Sequence, residues 1–269
     1  MKKMYKKKSF LNLKAMLVMA LVCFMTVQGF SADWTGKLRN GITYTVTTTT
    51  GNKFRVSCPG DSNFDGNEYD GIGDNLYCQH YDEATIVFNN TSPILINHSI
   101  RVYDACKLHL VKGVLSDQPT LKRGSRGGEI IYIAMSSSYN GDPTLYINGY
   151  GNDPSNMSSR FILDGGAVFS TPYDARTTAT SQGSRGRMIY FYNGGNIQVE
   201  NAIFQNAYNT GEAGFIEYNY SDHPFTLSNF NHVLFRGSHA KAGAVILWRA
   251  ASRHDVTMQD VEIWGCDNR

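Results

Sequence analysis

Short runs in which apolar and polar residues alternate follow one another along most of the chain. Residues 41–50 alternate over their whole length, which is typical of a β-strand with one buried face. Closely spaced runs of the same kind follow at positions 84–88, 94–96, 99–102 and 107–111. Beyond residue 121, no apolar pattern with the period of an α-helix lasts for three helical turns. The alternation therefore predicts an all-β chain.

A glycine-led block recurs in the second half of the chain. A small polar segment precedes an apolar run in each copy, and the second small residue of the four copies is Gly127, Gly186, Gly214 and Gly243. The last three copies are evenly spaced and the first lies twice as far away, which indicates one period of about 29 residues with one copy obscured. We expect the four apolar runs to form one parallel stack, at residues 130–133, 188–192, 215–218 and 244–248.

A second block lies between the glycine-led copies. It carries Phe204, Phe235 and Ile263 at equivalent positions, each about one period after the last. Each copy alternates apolar and polar residues and closes on an asparagine or a glycine, residue types that accept the left-handed backbone of tight turns. Each unit therefore carries at least two short strands.

A period of this length favours a solenoid of stacked coils, because a propeller blade needs about 40 residues. A single coil cannot bury its own apolar edge and depends on its neighbours. The predicted fold class is an all-β, right-handed parallel β-helix with coils of about 29 residues. Segments 139–159 and 171–182 are expected to leave the coils as loops.

The ends of the chain are predicted to differ from the coils. Residues 32–83 are expected to hold an N-terminal strand, a cap and a polar loop between Cys58 and Cys78, and residues 84–269 the coils. The glycine-led half of a further unit does not follow the last block before Arg269. We therefore expect a chain that is truncated at its C-terminus.

Residues 1–31 differ in kind from the rest. They contain six lysines and no acidic residue, and an apolar run that only Thr26 interrupts follows the lysines at 15–27. This run is shorter than the roughly 20 residues that span a bilayer. A basic start, a short apolar run and small residues instead form a secretory signal pattern. Cleavage is predicted after Ser31, leaving an exported chain without a transmembrane helix. A retained anchor helix is the alternative.

Removing this segment changes the charge of the chain. The formal net charge of +2 becomes −4 when the six lysines are lost. A nucleic-acid partner requires a basic face that neutralises phosphates, so the sequence argues against such a partner. Export permits disulfides among the four remaining cysteines. Cys58 and Cys78 bracket one polar loop and are the favoured pair, with four unpaired thiols as the alternative.

Several of these repeats resemble those of the polymorphic outer-membrane protein and adhesin family, whose signatures are Gly-Gly-Ala-Ile/Val and Phe-x-x-Asn. Residues 165–168 read Gly-Gly-Ala-Val, and residues 242–245 read Ala-Gly-Ala-Val. The second signature is altered, with Ser238 in place of the asparagine after Phe235. The resemblance covers most of the chain after the basic segment. It implies a right-handed parallel β-helix that is displayed at the bacterial cell surface or outer membrane, or secreted.

One polar loop carries a candidate calcium motif. Asp61, Asn63 and Asp65 alternate with other residues and precede a glycine, which is the start of a calcium loop. The twelfth position is Ile72 and not a carboxylate, which excludes a complete EF-hand. Asp70 or Asp74 could supply the missing ligand. An acidic surface loop without a metal ion is the alternative.

The sequence suggests two kinds of function. Parallel β-helices include pectin lyases and polygalacturonases, which use clustered acids or a base. The candidates for such chemistry are Asp222, His223, His254, Asp255, Asp260, Glu262 and Asp267. They lie at turns or outward positions and lack the hydrolase signatures, so no catalytic residue is predicted.

An arginine and tyrosine stripe supports a binding function. Ser-Arg pairs recur at 125–126 and 184–185. Four tyrosines lie in the glycine-led strands: Tyr132, Tyr190, Tyr192 and Tyr218. The stripe could bind a host or environmental glycan or a surface protein, although aromatic ladders also occur in solenoid cores. The favoured function is non-enzymatic adhesion or ligand binding, and a carbohydrate-active enzyme is the alternative.

Overall fold

The computed structural model describes residues 32–124, 128–135, 141–151, 153–177, 179–180, 187–219, 225–249 and 253–268. The predicted signal segment 1–31 and the Ser-Arg pairs lie outside these residues. The strands are β1 Trp34–Lys37, β2 Thr43–Thr48, β3 Phe54–Ser57, β4 Glu68–Tyr69, β5 Ile72–Cys78, β6 Glu83–Asn89, β7 Ile94–Ile96, β8 Ile100–Tyr103, β9 Lys107–Lys112, β10 Leu121–Arg123, β11 Ile131–Ala134, β12 Thr144–Asn148, β13 Phe161–Asp164, β14 Val168–Phe169, β15 Ala179–Thr180, β16 Ile189–Tyr192, β17 Asn196–Asn209, β18 Ile216–Tyr218, β19 Phe225–Ala240, β20 Ile246–Trp248, β21 Arg253–Trp264 and β22 Asp267–Asn268. Two short 3-10 turns are Thr50–Asn52 and Met157–Ser159. No helix in this part of the chain is long and apolar enough to span a bilayer.

The strands form a largely parallel sheet. They fall into three series, here called columns, in which each strand pairs with the next strand of the same series. The first column pairs β1, β5, β8, β11, β16, β18 and β20. The second pairs β2, β6, β9, β12 and the first halves of β17, β19 and β21. The third pairs β7, β10, β13 and the second halves of the same long strands. The all-β, mostly parallel arrangement is compatible with a β-solenoid.

The predicted stack of glycine-led strands is confirmed. Ile131 pairs with Ile189, Ile189 with Ile216, and Ile216 with Ile246, all in parallel register. The prediction of an obscured copy between the first two strands is wrong, because β11 and β16 are direct neighbours. The segment from Ile131 to Ile189 therefore makes a single circuit of the columns that carries long insertions.

One of the two predicted insertions is also misplaced. Segment 139–159 was expected to be a loop, but β12 lies within it and pairs with both β9 and β17 in the second column. Its alternating Leu145 and Ile147 are fully buried, which explains why the segment joins the sheet. The described residues of the second predicted insertion, 171–177 and 179–180, do lie outside the columns. Within it, β15 pairs with the preceding strand β14 in a separate two-stranded sheet.

The core consists of inward side chains that stack from one strand to the next. Phe204 and Phe235 are fully buried and lie with their ring centroids 5.0 Å apart. Phe215, which directly precedes β18 of the first column, packs against Phe235 with the ring centroids 5.6 Å apart. Burying a phenylalanine contributes about 2–3 kcal/mol. Each strand thus obtains much of its stability from the strands that flank it.

Left-handed residues turn the long strands from the second column into the third. Asn201, His232 and Asp260 have φ angles of 56°, 51° and 50° at equivalent positions. The closing residues of the second sequence block behave as predicted. Asn206 and Gly237 have φ angles of 58° and 63°, because asparagine and glycine accept this backbone region most readily.

The N-terminal part adds antiparallel strands to the parallel columns. β3 pairs antiparallel with β2, and β4 pairs antiparallel with β3. Aromatic rings pack beside these strands, with Trp34 5.8 Å from Tyr44, 6.2 Å from Phe54 and 5.9 Å from Phe64. The antiparallel strands and the aromatic cluster build a distinct first layer within the predicted segment 32–83.

Candidate functional site

The outward face of the first column carries a row of tyrosines. Tyr77 lies 6.5 Å from Tyr103, and Tyr103 lies 6.1 Å from Tyr132, measured between ring centroids. Tyr132 in turn lies 5.7 Å from Tyr190 and 6.5 Å from Tyr192. We call these five residues the tyrosine ladder. It crosses four strands of the column and presents aromatic surface on the outside of the sheet.

Strand register explains the ladder. Tyr132 pairs with Tyr190, and Ile131 and Ile133 on either side of Tyr132 point into the core. Because successive side chains of a strand alternate between faces, each flanked tyrosine must point outward. The side chain of Tyr192 is 43% exposed, so the ladder is accessible to a ligand.

Tyr218 is not part of the ladder, and its assignment to the stripe is wrong. It pairs with Phe191 rather than with Tyr190, so its ring points into the core. Its ring stacks on Phe191 at 4.4 Å and on Trp248 at 4.8 Å, and its hydroxyl lies 2.5 Å from the Ser228 hydroxyl. Burial raises the pKa of the Tyr218 hydroxyl above its usual range. Tyr218 is a structural residue.

A polar cavity lies at the end of the ladder. Its volume is about 370 Å³, near the lower end of the size range of small-molecule sites. The lining residues with polar side chains include Arg187, Tyr190, Glu212, Glu217, Asn219 and Arg249. Strands β16, β18 and β20 of the first column position these residues together with the turns that flank them.

Glu217 is the centre of the charge arrangement. Its carboxylate is almost fully buried and accepts a hydrogen bond of 2.5 Å from the Arg187 guanidinium. Arg249 Nε lies 3.8 Å from the other carboxylate oxygen, and Arg249 also pairs with Glu212. A buried carboxylate requires such partners because its desolvation is unfavourable. Two arginines and two glutamates leave this lining formally neutral.

The cavity and the ladder share Tyr190. The Arg187 guanidinium carbon lies 3.6 Å from the centroid of the Tyr190 ring, which is a cation–π contact. Asn219 donates a hydrogen bond to the Tyr190 hydroxyl. Tyr190 is therefore held by its ring and by its hydroxyl, so the aromatic surface and the hydrogen-bonding groups have a fixed relative position.

Partial burial changes the acidity of the ladder. Burial, and next the neighbouring hydroxyls of Tyr103 and Tyr190, raise the pKa of Tyr132 to about 12. The Tyr132 hydroxyl therefore stays protonated near neutral pH and can both donate and accept a hydrogen bond.

The predicted calcium residues have protein partners in the structure. Asp61 is fully buried, accepts a hydrogen bond from the Tyr44 hydroxyl at 2.9 Å, and lies 3.3 Å from Arg39 Nε. Asp65 accepts from the backbone N–H of Cys58 at 2.7 Å. The backbone N–H of Asn63 donates to Asp61. These contacts shape the loop, and calcium binding by Asp61, Asn63 and Asp65 stays a prediction.

The candidate catalytic residues whose side chains the structure describes do not gather at one place. Asp260 lies 3.4 Å from His232 at one turn, and Asp267 lies 3.6 Å from His239 at another. Glu262 is exposed in the third column. Asp222, His223 and the side chain of His254 lie outside the described residues, and Asp255 lies in β21. Among the residues that the structure describes, no group of three or more His, Cys, Asp or Glu side chains is placed to hold a metal ion.

The four described cysteines are free thiols, so the favoured Cys58–Cys78 pair is not formed. The Cys58 thiol donates to the carbonyl oxygen of Asp61 at 3.6 Å. The Cys78 thiol instead donates to the carbonyl oxygens of Asp82 and Lys107, at 3.5 and 3.7 Å. The two thiols therefore form hydrogen bonds to different parts of the chain: Cys58 to Asp61, and Cys78 to Asp82 and Lys107.

The charged residues of the cavity are not predicted from the sequence. Arg187, Glu217 and Arg249 belong to no short motif, but they follow one another at intervals of about one coil. This spacing is the sequence signal that could have identified them as neighbours in the fold. It becomes informative only with the pairing of Tyr190 to Glu217, which places an acid beside the tyrosine ladder.

No protein-family model, no curated protein and no solved structure matches the chain. The class of the protein therefore follows from its own structure. It is an all-β chain with a mostly parallel sheet, an exposed tyrosine ladder and an adjoining polar cavity.

Proposed function

We propose that this protein is an exported, surface-associated or secreted right-handed parallel β-helix that binds glycans through the outward face of its first column. The observation that carries the proposal is the tyrosine ladder leading into the polar cavity. Binding requires no catalytic residue. The proposed function of the protein is adhesion to a glycan-bearing surface. The proposed location is the bacterial cell surface, the outer membrane or the medium.

The chemistry of the face suits a saccharide. Apolar faces of sugar rings pack on aromatic side chains, and Tyr132, Tyr190 and Tyr192 offer such rings within 6.5 Å of one another. Sugar hydroxyls donate and accept hydrogen bonds, and the cavity supplies carboxylates, guanidinium groups and an amide. Solenoids bind along extended surfaces of this kind.

The proposal is tested by binding to a panel of immobilised polysaccharides: a mannan, a β-glucan, polygalacturonate and hyaluronate. We expect the unaltered protein to bind at least one of them and Tyr132→Ala or Tyr190→Ala to lower the affinity at least tenfold. Tyr146→Ala is the matched control, because Tyr146 is an outward tyrosine of the second column that stacks on His109 at 4.3 Å. Failure of the unaltered protein to bind any member, or equal losses in the control, contradicts glycan binding by this face.

A carbohydrate-active enzyme is the second candidate. The observation in its favour is that Glu212 and Glu217 line one cavity together with two arginines, since glycosidases use paired carboxylates. Incubation with polygalacturonate and pectin, with and without calcium, followed by assay of reducing and unsaturated ends, separates the two functions. We expect no release. Release that Glu217→Gln abolishes would replace the adhesion proposal by an enzymatic one.

Export is tested separately from binding. The basic, apolar and small-residue order of segment 1–31 motivates it. N-terminal sequencing of protein recovered outside the cytoplasm is expected to start between Phe30 and Asp33. Recovery of the protein only in the membrane fraction with an intact Met1 contradicts the proposed cleavage and release.

A further inference from the structure

Two buried cysteines meet at one corner of the sheet. Cys78 ends β5 in the first column, and Cys106 directly precedes β9 in the second column, one circuit further along the chain. Both side chains are fully buried. The Cys78 sulfur lies 3.7 Å from the carbonyl oxygen of Lys107, the residue after Cys106.

The backbone at this corner is fixed by the stacking of two successive turns. The N–H of His80 donates to the carbonyl oxygen of Asp104 at 3.1 Å, and the N–H of Lys107 donates to that of Asp82 at 2.8 Å. Neighbouring strands lie about 4.8 Å apart, and disulfides join Cα atoms at about 4.4–6.8 Å. A covalent link would join two adjacent circuits diagonally, because Cys78 pairs with Val102 and not with Cys106 itself.

The other two cysteines have different surroundings. The Cys58 thiol donates to a carbonyl oxygen in its own turn, and the Cys266 thiol donates to that of Trp264 at 3.5 Å. The hydrogen bonds that these two thiols donate are to backbone oxygens close in sequence. Cys58 and Cys266 therefore serve as controls for the corner pair.

We propose that Cys78 and Cys106 form a disulfide that locks two consecutive circuits of the sheet when the chain folds in the presence of a small disulfide oxidant such as glutathione disulfide. The two thiols are oxidised and the S–S bond of glutathione disulfide is reduced. One protein S–S bond forms, two electrons pass to glutathione, and the two thiol protons end on two glutathione thiols. This cross-link is independent of what the outward face binds.

The timing of the reaction follows from burial. The hydrogen bond to Cys78 and burial hold the pKa of the Cys106 thiol far above its usual range, and the thiolate is the species that attacks a disulfide. The bond therefore forms while the corner is still open. Oxidant added to the folded, reduced protein reacts much more slowly than oxidant present during refolding.

The test is a non-reducing peptide map of the full chain refolded with reduced and oxidised glutathione, after free thiols are blocked. Trypsin alone leaves Cys58 and Cys78 in one peptide, so a second cut after Glu68 and Glu83 is needed. The expected product joins peptide 69–83, which contains Cys78, to peptide 102–107, which contains Cys106. Cys58 and Cys266 are expected to carry the blocking group.

Thermal unfolding gives a second readout. Closing a loop of about one coil should raise the Tm by on the order of 10 °C, and reduction should remove that gain. Cys106→Ser should lose the response to reductant, whereas Cys266→Ser and Cys58→Ser should keep it. Recovery of Cys78 and Cys106 as blocked thiols after oxidative refolding, or a cross-link to Cys58, overturns the proposal. The map of the unaltered chain decides the question even if Cys106→Ser does not fold.

Discussion

The outward faces of the first and third columns carry similar side chains but differ in what covers them. On the third face, Arg236 lies 3.8 Å from the ring centroid of Tyr173 and donates to Gln205 at 2.6 Å. On the first face, Arg187 lies 3.6 Å from the ring centroid of Tyr190 and donates to Glu217. Both faces thus combine an arginine, a tyrosine and a partner that accepts a hydrogen bond.

The difference lies in the segment around Tyr173, which returns to the third face and closes it. The N–H of Ala175 donates to the carbonyl oxygen of Gly265 at 2.9 Å. Ala167, Phe169 and Ala175 bury one another beneath this segment. On the first face, the cavity beside Tyr190 is open and Tyr192 is exposed. The same residue types are therefore covered by a chain segment on one face and open to solvent on the other.

The largest expected effect comes from displacing the covering segment from the third face. A Cβ at Gly265 would lie 2.2 Å from the carbonyl oxygen of Tyr173, and the φ angle of Gly265 is +60°. Gly265→Ala should therefore destabilise the protein by about 3 kcal/mol, combining backbone strain with a steric clash. Chemical denaturation measures this value.

Gly66→Ala is the control for that substitution. Gly66 also has a positive φ, +78°, but a Cβ there would meet no atom within 4 Å. It should cost only about 1 kcal/mol, which is the strain of the left-handed backbone alone. Equal losses for the two variants would show that Tyr173 does not lie against Gly265.

A smaller difference is expected between the tyrosines of the two faces. Tyr173→Ala removes the ring beneath the Arg236 guanidinium and a contact with Trp264 at 6.4 Å, which should cost about 1–2 kcal/mol. Tyr192→Ala should cost less than about 0.5 kcal/mol because that side chain is 43% exposed. Urea unfolding of both variants checks the order, and the reverse order would contradict the distinction between a covered and an open face.

The last effect, which is absent at neutral pH, is the response of the open face to alkali. The pKa of Tyr132 is raised to about 12 by burial, whereas an unfolded tyrosine titrates near 10. Between about pH 10 and 12 the unfolded chain loses this proton and the folded chain keeps it, so stability falls as pH rises. Tyr132→Phe should show a shallower loss of stability in that range and no altered slope at pH 7–9. Identical slopes above pH 10 would indicate that the Tyr132 hydroxyl is not shielded.

Much of the fold could be predicted from the sequence because strand alternation and turn residues are local. β6 and β7 lie where alternating runs were found, and Asn206 and Gly237 adopt the expected left-handed turns. The return of the Tyr173 segment could not be predicted, since it depends on contacts with Gly237 and Gly265 in later circuits. The length of the circuit between β11 and β16 could not be predicted either. Two periods of equal length and one circuit with long insertions give the same spacing in the sequence.

The candidate site was only half predicted, and the reason is a register difference of a single position. Aligning the glycine-led blocks at Gly186 and Gly214 would place Tyr190 beside Tyr218. The strands instead pair Tyr190 with Glu217. Because a shift by a single position moves a side chain to the opposite face of a sheet, Tyr218 enters the core and Glu217 joins the cavity. Register of this kind is set by the packing of neighbouring strands.

The most direct test of the contrast between the faces is hydroxyl-radical footprinting of the protein with and without a polysaccharide that it binds. Tyrosines that contact the ligand become protected from oxidation, and mass spectrometry reads each position in a single experiment. We predict protection of Tyr132, Tyr190 and Tyr192 and unchanged oxidation of Tyr173. Protection of Tyr173 and Trp264 with no change in the tyrosine ladder would contradict the assignment of the first face as the binding surface.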